Sequence, residues 1–137
     1  MGERKLSSNK CRLTNITCEV ILFLVLHVDY YTAPSGEQAV ADWLDRLEKN
    51  ISAHVFDKIV RLQQNGLTLL KTNMMKAIEG YGNDFYEIKY SHYRVTVFHD
   101  AANHKFILLH GFKKERKRES REIKIAYSRL REYQSRR

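Results

Sequence analysis

Phe106-Ile-Leu-Leu-His-Gly-Phe-Lys-Lys-Glu-Arg-Lys-Arg118 runs from an apolar β-strand straight into a block of cations. A short apolar run bounded by turn residues suits a buried strand. The cations open a steep asymmetry of charge. From Lys113 to Arg137 the chain carries 11 of its 24 Lys/Arg and 4 of its 16 Asp/Glu, a net +7 out of a total +8. Charge concentrated on one sheet edge and one helix makes a local field, and such fields gather polyanions. Nucleic acid is the first partner this pattern suggests.

Upstream lie two more strands. Phe85 to Tyr90 alternates, with Tyr86, Ile88 and Tyr90 on one face and Phe85, Glu87 and Lys89 on the other. Ser91-His92 allows a tight hairpin into Tyr93-Arg-Val-Thr-Val-Phe-His99, and Asp100-Ala-Ala-Asn-His104 turns the chain into Lys105–Phe112. Beyond the cations, a helix starting near Ser120 buries Ile123, Ala126, Tyr127 and Leu130.

The N-terminal half reads as helical. Val40, Trp43, Leu44 and Leu47 recur at amphipathic spacing after a turn at Ala33-Pro-Ser-Gly, where Ser35 is placed as N-cap. A second helix spans about Ser52 to Gln64, with Gly66 at its C-terminal cap. Leu67 to Asn83 carries partly buried Leu69, Leu70, Met74 and Met75, the methionines as core filler, and turn residues at Glu79-Gly-Tyr-Gly-Asn. The order of one strand, two helices, three strands and a helix predicts an α+β fold. A single antiparallel or mixed sheet packs against an N-terminal helical hairpin and is completed by a C-terminal helix.

At 137 residues the chain is long enough for one domain with a real core. Cys11 and Cys18 have no partner spacing for zinc and read as free thiols, which points to the cytoplasm. Ile16 to Val28 mimics a signal peptide. It is shorter than a membrane span, carries Glu19 and His27, and lacks a small-residue cleavage site, so it reads as a buried first strand. No membrane partner is expected.

Glu87, Lys89 and Arg94 put charge on neighbouring strands. If the hairpin register brings Arg94 to the face of Glu87 and Lys89, three ionisable groups converge near Lys113 and Lys114. A solvated outer face with cross-strand ion pairs is the plainer reading; the adjacent cations favour an anion-binding surface. Such a site can act on RNA without a metal. The ribose 2′-OH attacks the adjacent phosphate if a base, cations for the phosphorane charge and an acid for the 5′-oxygen are supplied. Lysines can supply the charge and, crowded by like charge, also a base. Tyr127, Tyr93, His92 and His110 are candidates for the proton steps, although His110 also reads as a hydrogen-bonded core histidine and Tyr127 as packing. His54, His99 and His104 read as surface residues. No carboxylate constellation suggests a two-metal nuclease and no Gly-rich loop suggests a phosphate cradle.

Tyr86-Glu-Ile-Lys89, Tyr93-Arg-Val95, Leu108-Leu-His-Gly-Phe-Lys-Lys114 and Glu122-Ile…Ala126…Arg129…Tyr133 resemble the RelE/ParE superfamily of toxins, most closely its HigB-like, phage-borne branch. The resemblance covers roughly Val28 to Tyr133 and is carried chiefly by the last two motifs. It implies a toxin of a type II toxin–antitoxin system that cuts mRNA on the ribosome by metal-independent 2′-OH attack, with no cofactor. A helix-turn-helix antitoxin is the implied partner. By position, the resemblance assigns Lys89, Arg94, Lys113 and Lys114 to the scissile phosphate, and Glu87 and Tyr127 to orientation and proton transfer. Arg116, Lys117, Arg118, Arg121 and Lys124 are expected to hold RNA. The chain departs from the pattern in carrying Lys89 for the usual Arg, which loses bidentate geometry, and in lacking a Pro before the last helix. It also has residues 1–22 ahead of the domain at 23–137, expected to be an extension or an upstream start. A ParE-like inhibitor of DNA gyrase and a non-catalytic RNA-binding or decayed prophage toxin are the alternative functions.

Overall fold

The computed structural model describes residues 27–115 and 119–136. Along them run β1 His27–Tyr30, α1 Ala39–Arg46, α2 Lys49–Asn65, a 3-10 turn Gly66–Lys71, β2 Met75–Ala77, β3 Phe85–Tyr90, β4 Tyr93–Asp100, a 3-10 turn Ala101–Asn103, β5 Lys105–Lys113 and α3 Glu119–Arg136. The fold is α+β. Its five strands form one mixed sheet in the order β1-β5-β4-β3-β2, with β1 parallel to β5 and the other neighbours antiparallel. The expectations for residues 1–22, for most of Ile16–Val28, for both cysteines and for Arg116, Lys117 and Arg118 lie outside the described residues. Among those described, no helix is long and apolar enough to cross a membrane.

The meander has one strand more than expected. Met75–Ala77 pairs with β3, Lys76 opposite Glu87, and three residues are too few to display a period of two. A second correction concerns β5. It is an interior strand between β1 and β4, so Lys113 and Lys114 sit at the end of the strands and not along a lateral edge of the sheet.

Each face of the sheet has its own core. Val28, Ile88, Val95, Val97, Phe106 and Leu108 meet the helical hairpin through Val40, Leu44, Val55, Ile59 and Leu62. Phe85, Phe98, Ile107, Leu109 and Phe112 meet Ile123, Ala126 and Leu130 of α3. α2 ends at Gly66, whose φ of 59° is cheap only for glycine and whose N–H reaches Leu62 O. Ser35 does not cap α1. Ala33 and Glu37 close the preceding loop by a 2.8 Å backbone bond, so the helix begins only at Ala39, with Gln38 at the cap position.

Thr96 pairs with His110 but Val97 pairs with Leu108, so Leu109 is an extra residue in β5. This bulge turns both Leu109 and His110 towards α3. Arg129 of α3 donates to Leu109 O at 2.9 Å, satisfying a carbonyl at the disrupted ladder. The far end of α3 is tied by Tyr31 Oη to Glu132 at 2.6 Å and Tyr133 Oη to Asp100 at 2.7 Å.

Candidate functional site

The β3–β4 turn sets the site. Ser91 adopts φ 54°, closing a two-residue hairpin that pairs Tyr90 with Tyr93, Lys89 with Arg94 and Glu87 with Thr96. Directly opposed residues share a face, so Glu87, Lys89 and Arg94 all lie on the α3 side. Lys114 reaches the same end from β5, its backbone N–H bonding His92 O at 2.6 Å and its Nζ lying 3.7 Å from Glu119.

Glu87 and Arg94 are buried, at 1% and 8% exposure. Arg94 Nη1 donates to Ser91 O at 2.7 Å and Tyr93 O at 3.0 Å, so the guanidinium staples the turn from beneath. Its Nε lies 3.9 Å from Glu87 Oε1, and on the other side Lys76 Nζ lies 3.2 Å from the same oxygen. One carboxylate oxygen thus lies between a buried guanidinium and a solvent-exposed ammonium, and neither it nor Arg94 Nε makes a hydrogen bond. A buried carboxylate needs such company, since an isolated one is very costly. Lys89 is half-buried and makes no ion pair among the described residues.

Beside this group lies an open groove of about 530 Å³ between β2 and the start of α3, lined by Lys76, Tyr81, Glu87, Glu119, Ser120 and Ile123 among others. Its lining carries the cation Lys76 and the carboxylates Glu79, Glu87 and Glu119, while Arg94 lies buried behind Glu87. Among the described residues no three His, Cys, Asp or Glu are grouped to hold a metal ion.

The expected site therefore gathers in part. Glu87, Lys89, Arg94 and Lys114 come together on one face. Lys113 does not join them: it pairs with Tyr93, and its Nζ lies over the Tyr93 ring at 5.9 Å on the helical-hairpin side. Tyr127 packs against Tyr81 at 5.0 Å and Phe85 at 6.1 Å between ring centres, with its hydroxyl 3.4 Å from Arg131. Tyr81, not Tyr127, lines the groove. Arg121 and Lys124 are exposed on the outer side of α3.

His110 is a hydrogen-bonded core histidine. Nε2 lies 2.7 Å from Glu122 Oε2 and Nδ1 lies 2.9 Å from Arg129 Nη1. Arginine only donates, so Nδ1 accepts and Nε2 carries the proton, which makes the ring neutral. Burial pushes its pKa below the usual histidine value, opposed by the bond to Glu122 and aided by the Arg129 charge. His92 is exposed in the turn, as His54 and His104 are on their own surfaces. His99, expected on the surface, is instead mostly buried and stacks on Phe106 at 4.8 Å.

Lys76 and Tyr81 were not among the expected site residues. Both fall in the segment between the second helix and β3 where no period is readable, and only the pairing of β2 carries Lys76 to Glu87.

Among curated proteins none matches the chain. Among solved structures, the RelBE2 toxin–antitoxin complex of Mycobacterium tuberculosis is similar at 18% identity and a TM-score of 0.40, over 62% of this chain and 99% of that one. The model of the family described as Phage derived protein Gp49-like (DUF891) matches residues 42–131, from α1 through most of α3. The chain belongs to this Gp49-like, phage-derived family, which is a toxin family of the RelE/HigB type.

Proposed function

We propose that the protein is the toxin of a type II toxin–antitoxin pair and cuts mRNA on the ribosome, with the α3 side of the β3–β4 turn as its active site. The observation that carries this reading is the in-register pair Lys89–Arg94, with Lys114 arriving beside it and Glu87 between Arg94 and Lys76. Four cations from three strands and the end of a fourth gather at this end of the α3 face, and of them Lys76 lines the groove. A helix-turn-helix antitoxin is the partner this reading expects.

In the proposed reaction the 2′-hydroxyl gives its proton to water as its oxygen attacks the adjacent phosphorus. The bond from phosphorus to the 5′-oxygen breaks and that oxygen takes a proton from water, leaving a 2′,3′-cyclic phosphate and a 5′-hydroxyl. Lys89, Arg94 and Lys114 oppose the charge that grows on the non-bridging oxygens; preorganised cations act there without reorganisation cost. Glu87 is the positioning residue, because its buried charge faces Arg94 Nε at 3.9 Å without a hydrogen bond and draws Lys76 to the groove.

Programmed ribosomes carrying 5′-labelled mRNA test this directly. The wild-type protein is expected to cut within the occupied decoding site, and Lys89→Ala or Lys114→Ala to slow cutting by about 10²-fold each. Intact message with folded wild-type protein rejects the endonuclease; unchanged rates in both variants reject the site.

A further inference from the structure

Lys113, which the structure moves away from the catalytic face, lies in a second constellation on the opposite side of the same turn. Tyr90 and Tyr93 are the last cross-strand pair before the turn, and both point towards the helical hairpin. His54 of α2 stacks on Tyr90 with 4.8 Å between ring centres and 10° between planes. Trp43 of α1 lies 6.4 Å from Tyr93. The result is two ring pairs, His54–Tyr90 and Trp43–Tyr93, brought side by side by the cross-strand register of Tyr90 and Tyr93, with His54 exposed and the others half-buried. A cation stands over each tyrosine: Lys58 Nζ is 5.9 Å from the Tyr90 ring and Lys113 Nζ 5.9 Å from the Tyr93 ring. Asp57 pairs with Lys58 at 3.8 Å, whereas Lys113 has no carboxylate partner among the described residues.

A core boundary needs neither the cations over the rings nor the exposed ring. Single-stranded nucleic acid fits both, since bases stack on aromatic faces while the backbone follows positive charge. We propose that this cluster is a base-stacking platform for single-stranded RNA, placed so that the strand whose phosphate enters the Lys89–Arg94 face passes over the β3–β4 turn and lays its neighbouring bases along His54, Tyr90 and Tyr93. It rests on the reading of RNA as the substrate. In it, Lys113 holds the RNA backbone beside the platform and takes no part in the chemistry.

Trp43 is the only tryptophan in the chain, so its emission reports the platform without any label. The test titrates the full chain with a short oligoadenylate and, separately, with inorganic polyphosphate, which has the charge but no bases. Oligoadenylate is expected to quench Trp43; polyphosphate is expected to bind with little quenching. His54→Ala and Lys113→Ala, both at exposed positions, are expected to weaken oligoadenylate binding by roughly tenfold each, while His54→Ala leaves polyphosphate binding unchanged. Equal quenching by the two polyanions, no quenching by either, or full oligoadenylate affinity in His54→Ala overturns the platform. Binding is read here without cleavage, so intact message on programmed ribosomes with quenching retained would reject the nuclease alone.

Discussion

A β-carbon on Gly111 would lie 2.2 Å from Trp43 Cε3. The glycine is there because α1 lays its indole flat against the backbone of β5, an approach no side chain permits. Gly111→Ala must expel the ring or displace the helix, and overpacking of this kind costs about 1–3 kcal/mol. Urea unfolding followed by Trp43 emission is expected to show the lower midpoint together with a red-shifted native spectrum. At the same scale, Arg94 illustrates a residue with two duties. Its Nη1 spans two turn carbonyls while its Nε faces Glu87. Arg94→Lys keeps the charge but cannot make the fork, so it is expected to lower thermal stability as well as any cleavage rate. A loss of cleavage with an unchanged melting temperature would show that the turn does not depend on the guanidinium.

Among the elements, α3 is held to the bulge of β5 by a polar contact. Arg129 bonds the Leu109 carbonyl and the neutral His110, which in turn donates to Glu122. His110 has a lowered pKa in the folded chain, so the unfolded chain takes up the proton first as pH falls. The contribution to stability is therefore complete above the ordinary value of 6.5 and declines as pH drops through it towards the folded value. Urea midpoints measured between pH 7.5 and 5 are expected to fall in the wild type, and His110→Asn to lessen the slope. An identical slope in that variant assigns the pH dependence to other groups. Helices and long strands were readable from period alone: β3 runs from Phe85 to Tyr90 as expected, and α3 begins within a residue of its expected start. β2 was not, because its identity as a strand comes from its partner.

At the scale of the whole molecule, the described cations around the β3–β4 turn are divided between its two sides, with Lys89, Arg94 and Lys114 on one and Lys113 with Lys58 on the other. RNA that engages both sides displaces more counterions than RNA on one. The slope of log affinity against log salt is expected to be shallower by about 0.7 when Lys113→Ala removes one phosphate contact. An unchanged slope would place Lys113 outside the bound backbone.

The amino-acid sequence by itself determined the α+β architecture, the alternation that sets Glu87 and Lys89 on one face, and the excess of cations at the end of the chain. These follow from local periods and composition, which are written along the chain. Only the tertiary structure decided which cations meet. Side chains alternate along a strand, so the adjacent lysines at 113 and 114 serve opposite faces, and strand pairing alone brings Lys76 to Glu87. Two like charges adjacent in sequence thus face two surfaces in space.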